Sequence, residues 1–244
     1  LIYKRNHHIM AIKAPVKLSS KNNKIEINEG IIKSSLKLSN ENIINDLITE
    51  SNFFKFSLND FGNLSLTELV GALKFQEIKK GYLYRGHLKF KDLLRGGEQG
   101  IKNEAAQQER ILINNFTLHG DLLLKKPFPS NKLTVELFKS IKRINAQFQI
   151  GDALIRLVGD LKISGSKSID GKIVFSVARW NSLLDRIERN NIFEKEKIKI
   201  IRGGFILSEL SRKSSEGFVE LPLLIKENKI FLGPVLVGSI PSKF

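Results

Sequence analysis

Along most of the chain, apolar and polar residues alternate one by one. In KFSLN, Phe54, Phe56 and Leu58 point one way while Lys55, Ser57 and Asn59 point the other. In GYLYRGHLKFKD, Tyr82, Tyr84, Leu88 and Phe90 share a side opposite Arg85, His87, Lys89 and Lys91. In NFTLHGDLLL, Phe116, Leu118, Leu122 and Leu124 alternate with Asn115, Thr117, His119 and Asp121. KIEIN (24–28) and SLKLS (35–39) repeat the pattern over shorter spans. Successive side chains of a strand leave on opposite faces, so a period of two predicts strands with one buried face.

The fullest unit spans residues 146–177. Phe148 and Ile150 alternate with Gln147 and Gln149, and Gly151-Asp152 supplies a turn. Ile155, Leu157, Leu161 and Ile163 then share a face, SGSKSIDG interrupts with turn formers, and Ile173, Phe175 and Val177 resume. This reads as a three-stranded antiparallel meander. The chain's end, ELPLLIKENKIFLGPVLVGSIP, reads as a hairpin. Val219, Leu221, Leu223 and Ile225 face one way, Lys226 to Lys229 turn, and Ile230 and Leu232 return. Gly233-Pro234 is expected to end regular pairing, because Pro lacks an N–H. The stretch after it is expected to lie extended as a closing flap.

A helical period appears in three places. SNKLTVELFKSIKRI sets Leu133, Leu137, Phe138, Ile141 and Ile144 at spacings of three and four, with Ser130 or Asn131 as a cap. RWNSLLDRIERNN opposes Leu183, Leu184 and Ile187 to Asp185, Arg186 and Glu188. EKEKIKIIRGGFILSEL carries Ile198, Ile201 and Phe205, and Gly203-Gly204, at ~1 kcal/mol per Gly, predicts a kink or a stop there. The polar stretch RGGEQGIKNEAAQQER (95–110) predicts a mobile loop and a sub-boundary. Strands, helix, meander, two helices and hairpin in that order predict an α+β fold. It is predominantly antiparallel, a long curved sheet with a few helices on one face, forming a single β-rich domain over residues 1–244.

Composition changes this picture little. Forty Lys and Arg against 25 Asp and Glu give a net charge of +15, which attracts nucleic acid, anionic lipid or acidic polymers. The same excess follows from a chain rich in Lys, Ile and Asn, as an AT-rich genome encodes, and the basic residues are scattered. In GYLYRGHLKF the aromatics fall opposite the basic residues, which argues for core strands and against nucleic acid. No stretch reaches the ~18–20 apolar residues of a membrane span. The chain starts at Leu1 and reads as the downstream part of a longer polypeptide.

Specific chemistry is hard to find. With no Cys, a zinc site needs His plus carboxylates, and His7, His8, His87 and His119 all read as solvent-facing. No G-x-S-x-G, G-x-x-x-x-G-K or G-x-G-x-x-G pattern occurs, so no nucleophile elbow, phosphate loop or cofactor is expected. Asp160 and Asp170 stand beside Gly as turn acids do, and a hydrolytic carboxylate pair stays a minor reading. Trp180 reads as an apolar plug between helix and sheet.

Spaced residues in the last third carry a family resemblance. Trp180, Leu183 and Leu184 mark a helix, Leu221-Pro222-Leu223 a strand, and Leu232-Gly233-Pro234, Gly238 and Pro241 the ending. Together they resemble an uncharacterised alphaproteobacterial envelope family, domain of unknown function twenty-one twenty-five. The likeness is good over 150–244 and looser over Asn28–Leu36 and the opening YKRNHHIMAIKAP. Glu227-Asn228-Lys229 stands where the family usually has Gly, and Asn tolerates positive φ. The resemblance implies location at the periplasmic face of the inner membrane, with membrane association through an N-terminal segment upstream. It implies no activity. The expectation is a non-enzymatic envelope protein binding a lipid-like amphiphile or a partner protein on its apolar face. The alternative is a basic module for an anionic polymer or anionic lipid headgroups.

Overall fold

The computed structural model describes residues 6–19, 24–41, 43–58, 62–79, 81–95, 111–128, 137–164, 168–190, 192–211 and 217–240. Ten strands come first: β1 (His7–Lys13), β2 (Val16–Ser19), β3 (Lys24–Leu38), β4 (Ile44–Leu58), β5 (Gly62–Ile78), β6 (Gly81–Arg95), β7 (Ile111–Leu124), β8 (Phe138–Ile150), β9 (Ala153–Ile163) and β10 (Ile169–Ala178). Two helices follow, α1 (Trp180–Arg189) and α2 (Lys195–Ser211). The described chain closes with β11 (Phe218–Lys226), β12 (Lys229–Leu232) and β13 (Val235–Ser239).

The strands form one open antiparallel sheet of 13. From β3 to β13 each strand pairs with its neighbours in sequence, and β1 and β2 lie end to end along the free edge of β3. The fold is α+β and predominantly antiparallel, as the alternation predicts. β6 and β7 pair directly on either side of 96–110, a segment that itself lies outside the described residues.

One strand corrects the sequence reading. Residues Phe138–Ile150 form β8, not the end of a helix; the proposed cap at Ser130 or Asn131 lies outside the described residues. The register shifts between Ile141 and Ile144, where Arg143 has φ 51°. A bulge adds one residue to the strand, so Ile141 and Ile144 face the same side at a spacing of three. That spacing imitates a helical turn. The other two helices form, and α2 runs unbroken through Gly203-Gly204. Its buried Ile198, Ile201 and Phe205 hold it to the sheet on both sides of the pair, offsetting the propensity cost. Ser208 Oγ adds a hydrogen bond to the Glu220 carbonyl, 2.8 Å.

The ending also differs from expectation. Glu227 (φ 50°) and Asn228 (φ 65°) form the tight turn between β11 and β12, the conformation favoured in two-residue hairpins. Asn228 also accepts the Ile169 N–H at 2.7 Å. Beyond Gly233-Pro234 pairing resumes, and Val235–Ser239 is a further strand on β12, not a flap. Pro234 sits in the turn, where no ladder N–H is required. At the waist between β9 and β10, a Cβ at Gly159 would collide with the Lys172 carbonyl, and one at Gly171 with the Asp160 carbonyl. Only Gly permits that approach.

The largest core lies between the helices and the end of the sheet. Trp180, Leu183 and Leu184 of α1 and Ile201 and Phe205 of α2 cover Ala153, Ile155, Val177 and Val219. The Trp180 and Phe205 rings stack in parallel with centroids 5.2 Å apart. Each fully buried side chain of this kind contributes ~1.5–3 kcal/mol. A smaller cluster of Tyr84, Leu124 and Phe128 packs over β5–β8, where the Phe128 N–H donates to the Tyr84 hydroxyl at 3.1 Å. Burial raises the Tyr84 phenol above its ordinary pKa.

Candidate functional site

Register places whole rows of side chains on one face. The row Leu88, Leu118, Ala146, Leu157, Phe175 and Leu221 crosses six strands, from β6 to β11. Beside it run Phe75, Tyr84, Leu122, Ile141 and Leu161, crossing β5 to β9. On the other flank Phe90 stacks on Phe116 at 4.6 Å, and Phe116 lies 6.0 Å from Phe148. Phe148 stands opposite Ile155, and then come Val177 and Val219. This inner face is therefore apolar from β5 to β11.

The helices cover only part of it. α1 packs on β9, and α2 on β11 and β13. Among the described residues no helix lies over β4–β7, where the inner face continues with Leu47, Leu73, Leu88, Phe90, Phe116 and Leu118. These side chains are half-buried or better, whereas Ile48 and Val70 on the outer side of the same strands are 50% and 40% exposed. Gly86 and Gly120 stand opposite each other between Leu73 and Ile141, leaving the floor there bare of side chains. A Cβ at Gly86 would meet nothing closer than 3.6 Å, so packing does not demand glycine. The two glycines thus leave a shallow apolar dip between Leu73 and Ile141, bordered by Leu and Phe.

The outer face is polar over the same strands. His7, Lys37, Asp46, Lys74, Arg85, Asp121 and Lys142 form one row across seven strands, with cations broken up by carboxylates. Arg143 Nε donates to Asp121 at 2.7 Å, and its Nη2 pairs with the same carboxylate. Beside this row His87 and His119 face each other, Nδ1 to Nδ1 at 3.2 Å, so at least one ring is neutral. Burial, then the charges of His119 and Lys89, hold His87 below the usual imidazole pKa. With His7, which hydrogen-bonds Ser35 Oγ at 2.8 Å, the pair lines a hollow of about 600 Å³. Among the described residues no group of three or more His, Asp or Glu is arranged to hold a metal ion.

A larger hollow of about 1120 Å³ lies on the outer face of β8–β11. Asp160 and Asp170 both line it, the arrangement a carboxylate pair would need. However, Asp160 accepts Lys142 Nζ at 2.9 Å and the Arg143 N–H at 2.8 Å. These bonds lower its pKa, the reverse of what a general acid requires. In strand β9, Asp160 anchors the β8 bulge; it is not a turn acid.

The motif residues scatter between these features. Trp180, Leu183 and Leu184 are core, with Leu221 and Leu232 packed against them. Pro222 stands opposite Val174 on the outer face, and its carbonyl accepts the Gly233 N–H at 3.2 Å. Gly233 (φ 58°) and Pro234 make the last turn, Gly238 pairs with Ile230, and Pro241 lies outside the described residues. A family model described as an uncharacterized protein conserved in bacteria, DUF2125, matches residues 60–241. The chain belongs to the DUF2125 family. The match takes in β5–β13 and both helices, and leaves Asn28–Leu36 and the opening segment outside it. No curated protein and no solved structure matches the chain. Among the described residues no helix is long and apolar enough to cross a membrane, which says nothing of crossing by strands.

Proposed function

We propose that this DUF2125 chain is a non-enzymatic binding protein that holds the apolar part of an amphiphile in the inner-face trough of β4–β7. One observation carries the reading. The apolar rows that α1 and α2 cover at one end of the sheet continue past them, with the same chemistry and no helix above them among the described residues. The side chains there are half-buried to buried, and a lipid-like chain lying across the rows takes the apolar area that remains accessible out of water. The reading extends to a place at the periplasmic face of the inner membrane, supported by the envelope character that the resemblance implies.

The anionic-polymer reading has less support. The described cations of the long outer row are interrupted by Asp46 and Asp121, which breaks the continuous positive track that a polymer follows.

Extraction and mass spectrometry of the purified protein test the proposal. A lipid is expected to co-purify, and Leu118→Asp is expected to remove it while the chain stays folded. Protein free of lipid that also fails to take up a fluorescent acyl probe would overturn the reading. So would a partner protein occupying the trough. Cell fractionation with protease protection tests the location separately.

A further inference from the structure

The geometry points to a second binding site, on the opposite face, for a single-chain amphiphile with an anionic head. The site is the 1120 Å³ hollow over β8–β11, slightly above the ~300–1,000 Å³ of ordinary small-molecule pockets. It stands on different residues from the inner trough and does not depend on that reading.

Polarity runs in one direction along the strands that line it. Outward-facing residues read Val158, Asp160, Lys162 on β9, Val174, Lys172, Asp170 on β10, and Pro222, Leu224, Lys226 on β11. One end is therefore an apolar floor and the other a charged rim. The floor is open to solvent: Val158 is 48%, Val174 43% and Leu224 40% exposed.

Cations outnumber carboxylates at the rim. Five cations (Lys142, Arg143, Lys162, Lys172 and Lys226) line the hollow against two carboxylates. Both carboxylates are already engaged, Asp160 by Lys142 and the Arg143 N–H, Asp170 by the Glu227 N–H at 2.8 Å. Lys162, Lys172 and Lys226 make no ion pair among the described residues. Three free ammonium groups beside an apolar floor complement an anionic head on an alkyl chain. A bare anion leaves the floor wet. A cationic or neutral amphiphile leaves the lysines without a partner.

Titration calorimetry with dodecanoate, acetate and dodecyltrimethylammonium, all below micelle formation, tests this on the 244-residue chain. Dodecanoate is expected to bind, at least tenfold more tightly than either other probe. The double variant Lys172→Glu with Lys226→Glu is expected to weaken it at least tenfold, and Val174→Asp likewise. The neutral pair Lys172→Gln with Lys226→Gln guards against misfolding and should show a smaller loss in the same direction. Repeated in the Leu118→Asp background, where the inner trough takes up no lipid, the lysine-dependent dodecanoate binding should persist, which separates the two sites. Equal affinity for dodecanoate and dodecyltrimethylammonium would overturn the assignment. So would dodecanoate binding untouched by the lysine variants, no binding at all, or binding lost only with Leu118→Asp.

Discussion

Leu157 and Leu118 stand on the same row of the sheet, two strands apart, with Ala146 between them. Leu157 packs into the core beneath the helices. Leu118, between Thr117 and His119 on β7, has no helix packed on its strand among the described residues. Both side chains are half-buried, but only Leu157 meets the helix core, so a period of two marks a face as apolar without saying what covers it. Cover comes from elsewhere in the chain, from the 17 residues of α2 and the 10 of α1. The helix-covered part of the sheet holds the larger core, and the part without a helix is where the proposed ligand would lie.

The largest effect is expected from removing the anchor of the cover. Trp180→Ala should cost about 3–5 kcal/mol in chemical denaturation, since it empties the stack on Phe205. A loss below about 1 kcal/mol would mean that the helices rest on the sheet without holding it. Next comes the paired test. Leu157→Asp sets an unpaired carboxylate against the helix core and should cost about 3 kcal/mol, while Leu118→Asp should cost about 1 kcal/mol. Equal losses would show that the two regions do not differ.

A smaller gain is expected at Gly203. An added Cβ there meets nothing within 4 Å, so Gly203→Ala should stabilise by about 0.5–1 kcal/mol, read as a higher denaturation midpoint. Failure to stabilise would place another constraint on that turn of α2.

The smallest effect concerns pH and the uncovered strands. Burial, with His119 and Lys89, makes the folded His87 harder to protonate than the unfolded one. As pH falls, the unfolded chain therefore takes up the proton first. The contribution to stability is complete above about pH 6.5 and is lost as the pH falls below that value towards the lowered folded one. His87→Gln should flatten the stability profile in this window. A profile unchanged by the variant would remove the pair as a source of pH dependence.

Much of this architecture was legible in the alternation, because the sheet is built from neighbours in sequence. The meander of β8, β9 and β10 and the Glu227-Asn228 hairpin follow from local pattern alone. The start of β8 has a helical pattern because the Arg143 bulge turns a period of two into a step of three, and a bulge is visible only against its partner strand. The outer sites were hidden for the same reason. His87 and His119 are 32 residues apart, and only the register of β6 on β7 brings them together. Lys162, Lys172 and Lys226 likewise belong to three strands and share a rim only after pairing.

The neighbour-to-neighbour order of the sheet also bears on how the chain reaches this state. A large β protein is ordinarily slow to fold, because distant segments must find one another before any contact rewards the closure of the loop between them. Here, from β3 onward, each strand needs only the one that precedes it. The sheet can lengthen hairpin by hairpin as the polypeptide is made, with α1 and α2 docking once β11 is in place. Refolding of this 13-stranded chain should therefore be faster than its size and strand content suggest, and truncation after any complete hairpin should leave the preceding pairs able to form.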